Sequence, residues 1–351
     1  MHEDYTGNLR EFILNRNEEQ SAAFRSAAAR LARVRYRAEH PTEIAAWKCM
    51  DGRLNLSVYT KTPPGIIQPF RNIGGKFDLG WPFFQEVIKE YVKYATHHGR
   101  RVLVLVTYHF SKGDHHRGCA GWKYDTGAAH AAADMLAVQA GSVFGTSPRI
   151  VYPIVVGIET DEEGLVLHGT DGKTLDLESL KTAEHIETSI RDLYPDMDPQ
   201  MVTDLVPLLR GNLEHVSEVR ASHRPPIDLE HREQIIAVGR GFDWLHMPNK
   251  ALIIGPFSHE WPDAVATAGK IILGNLDANR VPKHEGVLLL VSALSRDEEG
   301  SFGWNMATEK AKYLERVSRA ILAERVPELS ENLQVLSGVV SGHTRKLHAL
   351  Q

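Results

Sequence analysis

The sequence predicts an α/β protein built from two related halves, each a mostly parallel sheet flanked by helices. Three observations predict it. Short apolar segments alternate with amphipathic stretches, the pattern of strand–helix–strand units. Several of these segments, Val102–Val106 and Val287–Val291 among them, are apolar throughout, as strands covered on both faces are. Finally, four landmarks recur in the same order at nearly constant spacing, the signature of a duplicated unit. Ile66-Ile67-Gln68-Pro69-Phe70 matches Ile253-Ile254-Gly255-Pro256-Phe257, and Trp81-Pro82 matches Trp261-Pro262. Val102–Val106 matches Val287–Val291, and Gly121-Trp122 matches Gly303-Trp304, each expected to open a helix.

The elements follow in order. Residues 7–37 alternate apolar and alanine positions with Arg and Glu and read as helix, ended by Pro41. Ile44–Cys49 reads as a buried strand, followed by a loop at Thr62-Pro63-Pro64-Gly65. Residues 82–98 form an amphipathic helix with Phe83, Phe84, Val87, Ile88 and Tyr91 on its apolar side. Arg101–Tyr108 is a strand, residues 126–140 an alanine-rich helix, and Arg149–Gly157 a further strand. Residues 176–222 read as a polar helical connector. The expected domains are an N-terminal helical segment (1–40), a first α/β domain (41–175), the connector (176–230) and a second copy (231–351).

The 351 residues have room for two such domains, and 42% apolar with 24% charged residues is ordinary for a globular chain. A net charge of −5 without a basic block argues against nucleic-acid partners and acidic membrane surfaces. The longest apolar runs have strand length, far short of the roughly 20 residues of a membrane-spanning helix. The acidic start, Met1-His2-Glu3-Asp4-Tyr5, lacks a signal peptide's apolar stretch, so the expected location is the cytoplasm. There a lone disulfide between the two cysteines, Cys49 and Cys119, is disfavoured, and a metal or catalytic role is the better expectation.

The chemistry concentrates where two strands of the first half end. One strand ends in Cys49-Met50-Asp51-Gly52-Arg53. The other runs into His109, then a polar loop, then Arg117-Gly118-Cys119-Ala120-Gly121. Ligand sites of α/β sheets lie at the carboxyl ends of strands. Two thiolates and an imidazole suit Zn²⁺, and three protein ligands leave a fourth position open for catalysis. Both His109 and His116 stand within reach of Cys119 in sequence. His109 is preferred because a strand end is held more firmly than a loop. His116 would then be a loop residue or proton shuttle, and Gly118 and Gly121 would let the backbone turn tightly beside the metal. His97, His98, His130, His259 and His343 form no ligand pattern, and Trp81, Trp122, Trp261 and Trp304 are expected core anchors.

Cys-x-Asp-x-Arg at 49–53, Arg71-Asn72-Ile73-Gly74-Gly75 and an apolar strand entering His109 together resemble the β-carbonic anhydrases. The resemblance covers roughly residues 41–160. It is nearest to the carboxysomal shell subclass, which shares a long His-to-Cys spacing, a degenerate second half and a turn similar to Val155–Asp161. It implies two tandem domains forming a pseudo-dimer. It also implies Zn²⁺ held by Cys49, His109 and Cys119, and reversible hydration of CO2 to bicarbonate. Asp51 would orient the attacking water and Arg53 would clamp Asp51. The chain shows no long N-terminal extension of the kind that subclass uses for packaging, so the carboxysome is not the favoured location. The family also implies a homo-oligomer. Two other readings of the same fold stay open: a catalytically silent zinc-binding scaffold or inorganic-carbon sensor, and a carbonyl sulfide or carbon disulfide hydrolase. In the second half, His109 maps to Leu294 and Cys119 to Ser301, and the Ile235–Leu245 stretch has no cysteine. That copy is expected to hold no metal.

Overall fold

The helical pattern at the start of the chain folds as two helices rather than one, α1 (Leu9–Arg25) and α2 (Ala27–Glu39). Ser26 between them is extended (φ −55°, ψ 148°) and its Oγ accepts from the Ala29 N–H. A serine N-cap offsets the broken helical bonds, a choice that apolar periodicity does not reveal. The structure, a computed structural model, describes residues 8–145, 150–180, 182–222, 229–243 and 250–350. The chain divides into two compact units, Leu31–Glu230 and Met1–Arg30 with His231–Gln351.

In the first unit the elements are β1 (Glu43–Cys49), the short α3 (Leu56–Tyr59), β2 (Ile67–Asn72), α4 (Pro82–His97), β3 (Val102–Phe110), α5 (Thr126–Phe144) and β4 (Val151–Glu159). Then come β5 (Leu165–His168), β6 (Thr174–Asp176), α6 (Ile186–Leu193) and α7 (Pro199–Ser222). The sheet order is β2-β1-β3-β4-β5-β6. The first four strands are parallel and the last two antiparallel. β1 is buried at every residue because it lies between two strands with layers on both faces. One face of the sheet meets α4 through an aromatic cluster in which Phe84 lies 5.2 Å from Trp47 and from Phe77, and 6.2 Å from Phe70.

The hairpin of β5 and β6 was not expected. Its strands are only four and three residues long and sit at the boundary drawn between domain and connector. The connector is also more apolar than its composition suggests. α7 buries Met201, Val202, Leu205, Leu208 and Leu209 along one stripe. Arg149, the expected first residue of β4, lies outside the described residues.

The second unit contains β7 (Ile235–Gly239), β8 (Ala251–Ile254), α8 (Trp261–Asp277), β9 (Val287–Ser295), α9 (Phe302–Arg325), β10 (Leu333–Ser341) and β11 (Leu347–Ala349). Its sheet order, β8-β7-β9-β10-β11, repeats β2-β1-β3-β4-β5, with β11 antiparallel on β10 as β5 is on β4, and only β6 has no counterpart. The chain is therefore an α/β protein of two tandem, topologically equivalent domains. α1 packs in this unit, where Leu9 and Ile13 join a core with Ile235, Leu288, Leu290 and Leu336. Buried Asn17 locks it there, donating to the Arg345 carbonyl (2.9 Å) and accepting from the Leu347 N–H (2.7 Å).

Two landmark matches change in detail. Ile44 pairs with Ile67 and Ile235 with Ala251, so Phe70 corresponds to Ile254, not Phe257. Pro69 lies within an edge strand, which tolerates a missing N–H, whereas Pro256 follows β8. Gly303-Trp304 opens α9 as expected, but Gly121-Trp122 lies in a 3₁₀ turn (Ala120–Trp122) and α5 begins only at Thr126. Asp125 caps that helix by accepting from the Ala128 N–H.

Candidate metal centre

The carboxyl ends of β1 and β3 and the turn before α5 bring Cys49, His109 and Cys119 together. Their donor atoms all lie within 4.8 Å of one another and all three residues are buried. Among the described residues this is the only group of three such donors. The two Sγ atoms stand 3.8 Å apart. A disulfide needs about 2.05 Å. Two bonds of about 2.3 Å meeting a tetrahedral ion separate their sulfurs by about 3.8 Å. Both ring nitrogens of His109 are buried without a hydrogen-bond partner among the described residues. Such unpaired buried groups are costly unless something fills their valence. Soft thiolates, an orphaned imidazole and the sulfur spacing all fit Zn²⁺.

The two thiols form a hydrogen bond in which either sulfur can donate. That contact, aided by the His109 ring, holds the Cys49 thiol well below its usual range. The same contact, with burial added, pushes Cys119 well up. One thiolate thus forms readily, and removal of the second proton awaits a cation. His116, the alternative ligand, lies outside this group and is exposed on the 3₁₀ turn His115–Arg117, its ring 3.9 Å from that of His115.

Asp51 and Arg53 form a buried pair beside Cys49. Arg53 Nε donates to both Asp51 oxygens (3.1 Å each) and NH2 to Oδ2 (2.6 Å). The Arg53 N–H also donates to Asp51 Oδ1 (2.9 Å). The rest of the guanidinium is used as well, donating to the carbonyls of Leu229 and Arg117 (2.9 Å each). Removing one member of such a pair strands a buried charge, at about 3–5 kcal/mol.

Further residues shape the site that sequence reasoning did not assign. Arg71 donates to the carbonyls of Asp51 (2.7 Å) and Leu54 (2.9 Å), and buried Lys48 donates to Leu54 (2.6 Å). Tyr59 donates its hydroxyl to the Arg53 carbonyl. Arg71 opens the Arg-Asn-Ile-Gly-Gly segment, so its signal was present. A lysine beside a cysteine carries none.

That segment meets the Cys119 turn directly. Trp122 Nε1 donates to the Gly74 carbonyl (2.7 Å), so this tryptophan is a clamp rather than a core anchor. A Cβ on Gly121 would lie 2.8 Å from Gly74 N and Cα. Glycine is needed there for close approach, not for a left-handed turn. Gly118 likewise has an ordinary φ of −73°.

Fold and donors define the class, an α/β protein with a candidate Cys₂His metal centre at the carboxyl end of a parallel sheet. Comparison with known proteins narrows it. No family model matches the chain. Curated relatives do, each named carboxysome shell carbonic anhydrase. The protein from Prochlorococcus marinus (strain MIT 9313) is 28% identical, that from Prochlorococcus marinus subsp. pastoris (strain CCMP1986 / NIES-2087 / MED4) 27%, and that from Parasynechococcus marenigrum (strain WH8102) 26%. Each match covers 57% of this chain. The chain spans less than half the length of these relatives, 45%, 46% and 40% respectively. It is thus carboxysomal carbonic anhydrase-like. No helix among the described residues is long and apolar enough to cross a membrane.

Proposed function

We propose that the protein catalyses the zinc-dependent, reversible hydration of CO2 to bicarbonate. The observation that carries the reading is the convergence of Cys49, His109 and Cys119 beside the buried Asp51–Arg53 pair. Zinc held by those three residues supplies Lewis acidity that makes hydroxide available near neutral pH. The chain's own groups do the rest. Asp51 accepts a hydrogen bond from the attacking water and aims its lone pair at CO2. Arg53 fixes the direction of that carboxylate from two nitrogens, and Arg71 holds the Asp51 carbonyl so that the turn keeps its shape. Residues 41–175 form the catalytic domain and 231–351 a copy without metal. The names of the relatives point to a carboxysome shell, and we place this chain in the cytoplasm as a self-associating enzyme.

Stopped-flow CO2 hydration on zinc-loaded protein, with metal analysis and Cys49→Ala as control, tests this. The expected result is hydration that disappears in Cys49→Ala, with about one zinc per chain. Zinc without hydration between about pH 6.5 and 9 would sink it.

A further inference from the structure

His109 and Cys119 are separated by a loop that must leave β3 and return a thiol to the same point. Such an excursion is entropically open unless something holds it. The end of β4 supplies the hold from three consecutive residues. Buried Glu159 accepts the Lys112 N–H (3.1 Å). Thr160 donates its N–H (2.9 Å) and hydroxyl (3.1 Å) to the Phe110 carbonyl. Asp161 Oδ2 accepts from Ser111 Oγ (2.8 Å) and the Gly113 N–H (2.7 Å), and Oδ1 stands 3.7 Å from Arg117 NH1. The loop's far end bears on the site twice. The Arg117 carbonyl accepts from Arg53 NH2 (2.9 Å), and Cys119 follows two residues later.

We propose that Asp161 is a positioning residue of the centre. It fixes the loop so that Cys119 stays buried facing Cys49 and the Arg117 carbonyl stays on Arg53. The inference rests on Cys119 being a ligand, but the placement of Cys119 can be read without metal. Of the three residues at the end of β4, Asp161 alone reaches the loop at Ser111, Gly113 and Arg117, while Thr160 and Glu159 hold it at Phe110 and Lys112. The two hydrogen bonds to Oδ2 need only an acceptor oxygen at that point, so the geometry of the side chain rather than its charge is what holds the loop.

The test is the alkylation rate of Cys119 by iodoacetamide in chelator-treated, fully reduced full-length protein, resolved by mass spectrometry with Cys49 as internal reference. Asp161→Ala is expected to raise the Cys119 rate, relative to Cys49, by about tenfold or more, because the loop then opens locally. Asp161→Asn keeps an oxygen for Ser111 and Gly113 and is expected to stay within about threefold of the parent. In parallel, chelator competition should show zinc held about 10- to 100-fold more weakly by Asp161→Ala. Equal Cys119 rates in the parent and in folded Asp161→Ala overturn the proposal, as does Asp161→Asn behaving like Asp161→Ala. A parent protein that binds no zinc while Asp161→Ala still unmasks Cys119 sustains the positioning role and overturns the hydratase reading instead. Should Asp161→Ala fail to fold, Ser111→Ala removes one of the same anchors and must raise the Cys119 rate in the same direction.

Discussion

The two halves share a scaffold and differ at their strand ends. Trp47 pairs with Val106, and Val238 pairs with Val291. Counting along these ladders, Cys49 corresponds to Arg240 and His109 to Leu294. One half places a soft donor at both strand ends, and the other places a cation and an aliphatic side chain there. The parallel order β2-β1-β3-β4 survives as β8-β7-β9-β10. Buried strands satisfy their backbone and pack their side chains without reference to the strand ends, so a sheet can lose its metal chemistry and keep its fold. The difference teaches that the candidate centre is a graft of a few residues, and the loops that hold them, onto a tolerant sheet.

The sharpest way to break this comparison is to exchange the residues that define it. His109→Leu imports the second unit's residue. It should remove bound zinc and cut CO2 hydration by about a thousandfold or more, whereas Leu294→His should leave zinc at one per chain. A second zinc in Leu294→His, measured by metal analysis, would mean that the scaffold alone specifies the site. A smaller effect is expected at the matching glycines. Gly121→Ala drives a Cβ against the Gly74 backbone and should destabilise by about 1–3 kcal/mol. Gly303→Ala meets only the movable Asp297 side chain, on a helix that favours alanine, and should cost less than about 1 kcal/mol. Thermal melts of the two variants decide it, and equal losses would remove the asymmetry.

The smallest effect distinguishes the units by acid. His168, on β5 of the first sheet, has its pKa lowered from 6.5 to about 4, chiefly by burial and then by neighbouring His130. Unfolded, it takes a proton below about pH 6.5. Folded, it resists until about pH 4. The unfolded state therefore binds more protons across that window, and stability falls as pH drops through it. Urea midpoints at pH 7 and pH 5 should converge in His168→Gln, and an unchanged acid loss in that variant would place the sensitivity elsewhere.

Much of this was legible in the sequence because its signals are local. Continuous apolar runs marked β1, β3, β4 and β9, and Trp-Pro marked the starts of α4 and α8. The Cys-x-Asp-x-Arg turn and the strand entering His109 placed the candidate donors at strand ends, and the fold brings them together. What escaped depends on partners distant in sequence. The serine break between α1 and α2 is decided by one hydroxyl. The β5–β6 hairpin is too short to build a period. Lys48 and Asp161 act through carbonyls and loop amides that no spacing reveals. The register slip between Phe70 and Phe257 arose because two Pro-Phe pairs look alike in sequence while only one lies inside a strand.

The segments of the second unit flank residues 31–230 in sequence, and α1 pairs its Asn17 with Arg345 and Leu347 across almost the whole chain. On the ribosome, the metal-centre unit has all of its strands before β7 is made. α1, made before either sheet, must wait for β11 before its amphipathic face is covered. Long-range closure of this kind is slow and leaves apolar surface open meanwhile. The unit with the candidate centre can therefore fold early, and closure of the other unit is the slower step.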